Sequence, residues 1–297
     1  MTSYKISVQK NKFTFSSFIE ITKLRLSVSV VFSSVISYLI GMNEFDFKIF
    51  SYLIFGGLLM VSASNIFNQI IERDLDALMQ RTKGRPLPTG QISVNGALLL
   101  GFSFVILGLT LLYLINPLCT MLGAISIFIY ACVYTPLKLI TPLSVFVGAI
   151  PGAIPFMLGW VAATNEIGIE AIALFLMQFF WQFPHFWAIA WWQNDEYEKA
   201  GFKMLPTGKK DKSTTFQIIF YSFWAVIMSI VPYFNFTGDL SLSVYGLVLV
   251  LILGLFLLFY SFKLFKESTT QNAKILMYVS ILYLTLVQIV YLIDNLY

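Results

Sequence analysis

The 297-residue sequence predicts an all-α, polytopic membrane protein with about nine transmembrane helices, and three observations carry that prediction. Hydrophobic residues make up 58% of the chain and charged residues 11%, against roughly a quarter charged in soluble domains. The apolar runs are long enough to cross the hydrocarbon, which takes about 20 residues, and they do not alternate as barrel strands do. In lipid the backbone must satisfy itself, so runs of this kind are read as helices. Finally, the basic residues gather in alternate loops, as the positive-inside rule requires of a chain threaded back and forth through a bilayer.

The spans are read at 25–43, 49–69, 95–115, 117–135, 143–163, 169–193, 215–234, 241–262 and 275–294. The charges justify each in turn. Lys5, Lys10, Lys12, Lys23 and Arg25 precede the first span, and Arg73, Lys83 and their neighbours follow the second. Lys138 follows the fourth, five lysines follow the sixth, and Lys263, Lys266 and Lys274 follow the eighth. Of the 19 basic residues only Lys48 falls on the other side. The N-terminus and these loops are therefore expected in the cytoplasm and the C-terminus outside, in a multi-pass cell-membrane protein. The short opposite loops, NEFD at 43–46, TNEIGIE at 164–170 and NFTGDL at 235–240, hold most of the remaining acid.

Residues 1–297 read as a single transmembrane domain, with 1–20 as a cytoplasmic N-terminal segment. No signal or transit peptide is expected, because the basic N-terminal residues lead into a full-length span. The net charge of +4 follows from the topology and does not indicate a nucleic-acid surface. Cys119 and Cys132 lie 13 residues apart on one predicted helix, too far to form a disulfide.

Two polar constellations interrupt this apolar pattern. In NQIIERDLDALMQRTKGRPLPTG, residues 68–90, Asn68, Glu72 and Asp76 are spaced i, i+4, i+8. On a helix continuing from the second span they fall within about 80° of one another and present three oxygen donors to one side. Magnesium is commonly held by one or two carboxylates together with substrate phosphates. Arg81, Lys83 and Arg85 follow in a turn shaped by Pro86, Pro88, Gly84 and Gly90, and are groups that would grip such phosphates. Asp74 and Arg73 lie off the common face and read as solvent or ion-pair residues. Without a ligand, the segment would be an ordinary solvated loop.

The second constellation is FFWQFPHFWAIAWWQNDEYEKAGFKMLPTG, residues 179–208, on the same predicted face of the membrane. It holds the lone histidine, His185, with Trp192 and Glu196 at nearly the same helical angle and Asp195 beside Glu196. Pro184 is expected to kink or break the helix. An ionisable residue within a span is a functional candidate, although a lone histidine is often a hydrogen-bonded core residue. Acids and cations at helix ends around an apolar bundle suggest that an allylic diphosphate lays its isoprenoid tail in the bundle. Metal and cations would stabilise the departing diphosphate while the allylic cation alkylates an electron-rich acceptor.

The 68–90 segment resembles the first signature of the UbiA-type intramembrane prenyltransferases, in the haem-directed form where Glu72 stands for the first Asp of Asn-x-x-x-Asp-x-x-x-Asp. The resemblance extends to WQFPHFWAIAW and AGFKMLP, to YTPLKLITP at 134–142 and to GAIPGAIPFMLGW at 148–160, covering most of residues 20–210. Quinone-directed relatives carry a second Asp-rich motif where this chain has Pro184 and His185. The resemblance implies a UbiA-like helical bundle that transfers farnesyl from farnesyl diphosphate to a vinyl group of haem b, with addition of water, giving haem O and diphosphate.

Position by position, the resemblance makes Asn68, Glu72 and Asp76 the ligands of a magnesium cofactor, with Arg81, Lys83, Arg85 and Lys138 on the diphosphate. His185 and Trp192 are placed at the haem, His185 as an axial ligand or through a propionate, and Asp195 or Glu196 forms a second acidic site. Farnesyl diphosphate, haem b and the lipid bilayer are the implied partners, with a downstream haem A synthase or terminal oxidase assembly receiving the product. Departures from the family pattern are Glu196 for an Asp before tyrosine, Leu24 for a proline between Lys23 and Arg25, Ser144 for Asn, and Phe156 for a proline. The rival readings are prenylation of an aromatic acid or quinone precursor, which predicts the missing second Asp-rich motif, and a membrane transporter. Transporter sites lie at the bilayer midplane on broken helices, whereas these acids lie at helix ends.

Overall fold

The computed structural model describes residues 13–296, and the structural statements below concern those residues. Lys5, Lys10, Lys12 and most of the expected 1–20 segment lie outside them. Among the described residues nine helices are long and apolar enough to cross a membrane, and there is no strand. A short helix α1 (Phe15–Thr22) leads into the first span, α2 (Leu24–Gly41), through a left-handed Lys23 (φ 46°). The second span is α3 (Phe47–Ile71), which is followed by the single turn α4 (Arg73–Asp76). The third is α5 (Val94–Tyr113). The fourth, Pro117–Leu137, comprises α6 (Pro117–Phe128), a π-helical stretch (Ile129–Tyr134) and α7 (Thr135–Leu137).

The fifth and sixth spans are α8 (Ser144–Thr164) and α9 (Ile169–Trp192), and a short helix, α10 (Asn194–Lys199), extends the latter after Gln193. The seventh is α11 (Lys212–Ile230), ending in a 3-10 turn to Phe234; α12 (Val244–Glu267) and α13 (Thr270–Leu296) complete the bundle. Five of the spans start with a side-chain cap on otherwise unpaired N–H groups. Asp46 caps α3, Ser93 caps α5, Asn116 caps α6, Asp211 caps α11 and Ser243 caps α12. The largest departure from the expected spans is between the eighth and ninth. The charged stretch read as a loop at 263–274 is mostly helix, because α12 and α13 continue past the apolar core and leave only Ser268 and Thr269 between them.

Helix α8 lies at the centre, packed against α2 on one side and α9 on the other, and most of its length is buried. Small residues allow this close approach, as is usual where helices meet in lipid. A Cβ on Gly159 would sit 2.0 Å from the Ser34 carbonyl oxygen of α2. Pro151 and Pro155 stand inside α8, and Ser126 donates to the Pro151 carbonyl whose helical donor Pro155 lacks. Gln178 and Gln182 of α9 donate to the carbonyls of Gly152 and Ala149 at 2.9 and 2.8 Å, pinning the two helices in register. Large apolar side chains such as Leu99, Phe102, Ile106, Tyr245, Ile252 and Phe259 point outward from α5 and α12, the faces that meet lipid.

Candidate active site

The first constellation is built where α3 runs out. Glu72 leaves helical geometry (φ −93°, ψ 7°), so the continuous helix expected through Asp76 is interrupted there. The hydrogen-bond ladder nevertheless persists, from Glu72 N–H to the Asn68 carbonyl and from Asp76 N–H to the Glu72 carbonyl. Asn68, Glu72 and Asp76 therefore stay on one face, and all three are buried, Asp76 completely.

Buried carboxylates require partners, and each of these has one cation. Arg85 Nη1 donates to Asp76 Oδ2 at 2.6 Å, and Lys138 forms an ion pair with Glu72. Arg85 is brought back by its loop, in which Thr82 Oγ1 donates to the Asp76 carbonyl and the Arg85 N–H to the Thr82 carbonyl. The Lys138 ammonium lies 4.8 Å from the Tyr134 ring and 5.3 Å from the Phe202 ring. Asn68 is held on both sides, accepting from Lys23 Nζ at 3.4 Å and donating to Thr135 Oγ1 at 3.3 Å.

Lys23, Arg85 and Lys138 thus face Glu72 and Asp76, an excess of positive charge suited to an anion. Withdrawal from water, then repulsion from Arg85 and Lys138, brings the Lys23 pKa down to about 7. Asp76 Oδ1 is buried without a hydrogen-bond partner, an unused hard oxygen of the kind a divalent cation takes. Among the described residues no three His, Cys, Asp or Glu side chains cluster as a metal cage. Two carboxylates and an amide instead fit an ion such as magnesium that completes its shell with phosphate and water.

The other residues expected on the diphosphate are placed differently. Arg81 and Lys83 lie exposed on the loop. Arg73 and Asp74 pair with each other at 2.8 Å at the surface, as the sequence suggested.

In the second constellation, α9 runs unbroken through Pro184, so the expected break does not occur. His185 stacks on Trp181 at 4.8 Å, and its Nδ1 lies 2.9 Å from Ser280 Oγ on α13. The Ser280 hydroxyl donates to the Met277 carbonyl, so the proton between Ser280 and the imidazole is carried by Nδ1. Nε2 then keeps its lone pair. Trp192 lies one and a half to two turns further along α9, with the Lys274 ammonium 5.0 Å from its ring.

The two second-site acids diverge. Asp195 points into solvent and pairs with Lys210 at 3.2 Å. Glu196 turns toward the first loop, accepting from the Gln80 N–H at 2.5 Å and from Lys199 at 2.6 Å. Lys199, with the loop N–H groups adding, holds its carboxyl below the usual range. Lys23, Thr135 and Ser280 were not predicted as site residues. Lys23 carried a signal, as part of the family-like Lys23–Arg25 pair, whereas Thr135 and Ser280 carried none.

The model of the UbiA prenyltransferase family matches residues 29–285. The chain belongs to the UbiA prenyltransferase family. Its relatives include the protoheme IX farnesyltransferase of Flavobacterium psychrophilum, 57% identical over 287 residues and 96% of each chain. That of Christiangramia forsetii is 57% identical over 280 residues, covering 94% of this chain and 93% of its own. Solved UbiA-type folds superpose as well. A digeranylgeranylglyceryl phosphate synthase structure gives a TM-score of 0.79 at 21% identity, covering 94% of this chain and 98% of the other. A UbiA homolog from Archaeoglobus fulgidus bound to DMAPP and Mg2+ gives 0.70 at 17% identity, covering 91% and 98%. As a UbiA family member the chain is a membrane-embedded prenyltransferase.

Proposed function

We infer that this chain transfers farnesyl from farnesyl diphosphate to a vinyl group of haem b, adding water, to give haem O and diphosphate. The likeness to protoheme IX farnesyltransferases over nearly the whole chain carries the choice of substrates. The observation that carries the chemistry is the buried face of Asn68, Glu72 and Asp76, set against Lys23, Arg85 and Lys138.

The farnesyl C1–O bond breaks and its electron pair leaves with the diphosphate. Arg85, Lys138 and Lys23 neutralise that developing charge inside a site that admits little water. The allylic carbon bonds the terminal carbon of the vinyl group, water adds its hydroxyl to the adjacent carbon, and one proton is released. Asn68, Glu72 and Asp76 would hold magnesium, which when bound supplies further charge neutralisation at the phosphate oxygens. On the acceptor side, the Nδ1 bond to Ser280 orients the His185 ring and leaves Nε2 for the haem iron, the usual arrangement of a ligating histidine. The nine-helix bundle acts as one domain. The basic loops support a cytoplasmic site and N-terminus in the cell membrane, with the C-terminus outside.

The test supplies purified protein in detergent with haem b, farnesyl diphosphate and magnesium, and reads the extracted haem by mass spectrometry. A magnesium-dependent gain of a hydroxyethylfarnesyl group is the expected result. Farnesyl appearing instead on an aromatic acid offered in parallel would keep the donor site and overturn the haem acceptor.

A further inference from the structure

Residues 193–203, which follow the histidine-bearing helix α9, touch both loops that supply cations to the donor site. Glu196 reaches the first of them across 116 residues of sequence. One carboxylate oxygen accepts from the Gln80 N–H at 2.5 Å, the Arg81 N–H points to the same group, and the other oxygen accepts from Lys199. A backbone N–H bonded to a carboxylate is a strong, charge-assisted contact. Seven residues on, the Lys203 N–H donates to the Lys138 carbonyl at 2.7 Å, and Lys203 Nζ donates to the Ile140 carbonyl. The Phe202 ring lies against the Lys138 ammonium and packs edge-on against Tyr197.

Each loop held in this way presents one cation to one acid. The 77–90 loop carries Arg85 to Asp76, and the turn after α7 carries Lys138 to Glu72. We propose that Glu196 is a positioning residue whose carboxylate latches the Gln80–Arg81 backbone, so that α10 and the turn after it brace the donor-site cations against the end of the acceptor helix. Both carboxylate oxygens of Glu196 are engaged within the brace, so it does not serve as a metal ligand. The proposal rests on the reading that Arg85 and Lys138 grip the diphosphate.

The test compares full-length wild type, Glu196→Gln and Glu196→Ala in detergent. The first readout is the rate of tryptic cleavage at the exposed Arg81 and Lys83, which follows the population of the opened loop. Glu196→Ala is expected to cut roughly tenfold faster, the scale of a lost hydrogen bond to a charged group. Its KM for farnesyl diphosphate should rise while its magnesium requirement stays that of wild type. Glu196→Gln keeps a carbonyl oxygen for the Gln80 N–H and should lie much nearer wild type in both readouts.

Hydrogen exchange on the wild type gives a second measurement that needs no variant to fold. The Gln80 and Arg81 amides should exchange several-fold more slowly than that of Gly84, after correction for intrinsic rates. Wild-type cleavage of Glu196→Ala, or unprotected Gln80 and Arg81 amides, would overturn the latch. A Glu196→Gln variant as impaired as Glu196→Ala, with a raised magnesium demand, would make Glu196 a metal ligand instead. Faster cleavage with an unchanged KM would overturn the positioning role. Cleavage and exchange need no substrate, so failure of the farnesyl or haem reading would leave them as they are.

Discussion

Asp76 has one oxygen on Arg85 and the other without a partner, in a fully buried position. Asp76→Asn is nearly isosteric, so it should leave the fold intact while turnover falls by at least about a hundredfold, comparable to losing a pre-organised electrostatic contact at a reacting centre. Steady-state kinetics over a magnesium series checks this; normal activity at limiting magnesium would remove Asp76 from the donor site. His185→Ala should abolish haem binding, read by absorbance titration, and spare farnesyl diphosphate binding. The reverse pattern would assign the histidine to the donor side. These residues were legible in sequence for a physical reason: three oxygen-bearing side chains at helical spacing on an apolar flank are costly to keep without a task. The signal at Lys23 was ambiguous because a lysine before a first span also serves to orient the chain. The Ser280 partner of His185 lies 95 residues away and leaves no local trace.

Helix α8 tolerates side chains according to what faces them. A methyl group at Gly159 would strike the backbone of α2, which cannot step aside, whereas at Gly152 it would displace only the Gln182 side chain, at the cost of that amide's bond to the Ala149 carbonyl. Gly159→Ala should therefore cost about 1–3 kcal/mol, the usual penalty of overpacking, and Gly152→Ala clearly less. Thermal melts of the two variants in one detergent rank them, and the opposite order would contradict the α2–α8 crossing. At the start of α11, the Asp211 carboxylate accepts from the Thr214 N–H at 2.8 Å, and this bond, with Thr207 and Lys209 nearby, holds its pKa down. Because the folded-state value lies below the unfolded one, the cap stabilises at neutral pH and is lost as pH falls through the folded-state value. Asp211→Ala should lower the melting temperature at pH 7, and the difference from wild type should shrink in acid. Span positions were legible because apolar length is a direct consequence of bilayer thickness. The extended ends of α12 and α13 were not, because charged residues on helical turns outside the hydrocarbon look the same in sequence as residues in a loop.

The loops after the second, fourth and sixth spans meet through Gln80–Glu196 and Lys138–Lys203, as they must if those spans leave the membrane on one side. Lys209→Cys should accordingly react with a membrane-impermeant thiol reagent from the cytoplasmic side, and Glu166→Cys from the outside. Cys119 is buried and Cys132 lies within a span, so native background should be low. Labelling of both from one side would refute the alternation. The fourth span adds a constraint that length alone does not express. Its π-helical stretch, Ile129–Tyr134, fits one residue more into a turn than an α-helix does. The same number of residues wound as regular α-helix would still reach across the bilayer. Regular α geometry would, however, rotate everything beyond it by about 100°, carrying Lys138 away from Glu72 and both aromatic rings away from the ammonium. Phase, as distinct from length, is thus what this span has to hold, and the wide turn rather than the residue count keeps Lys138 facing Glu72.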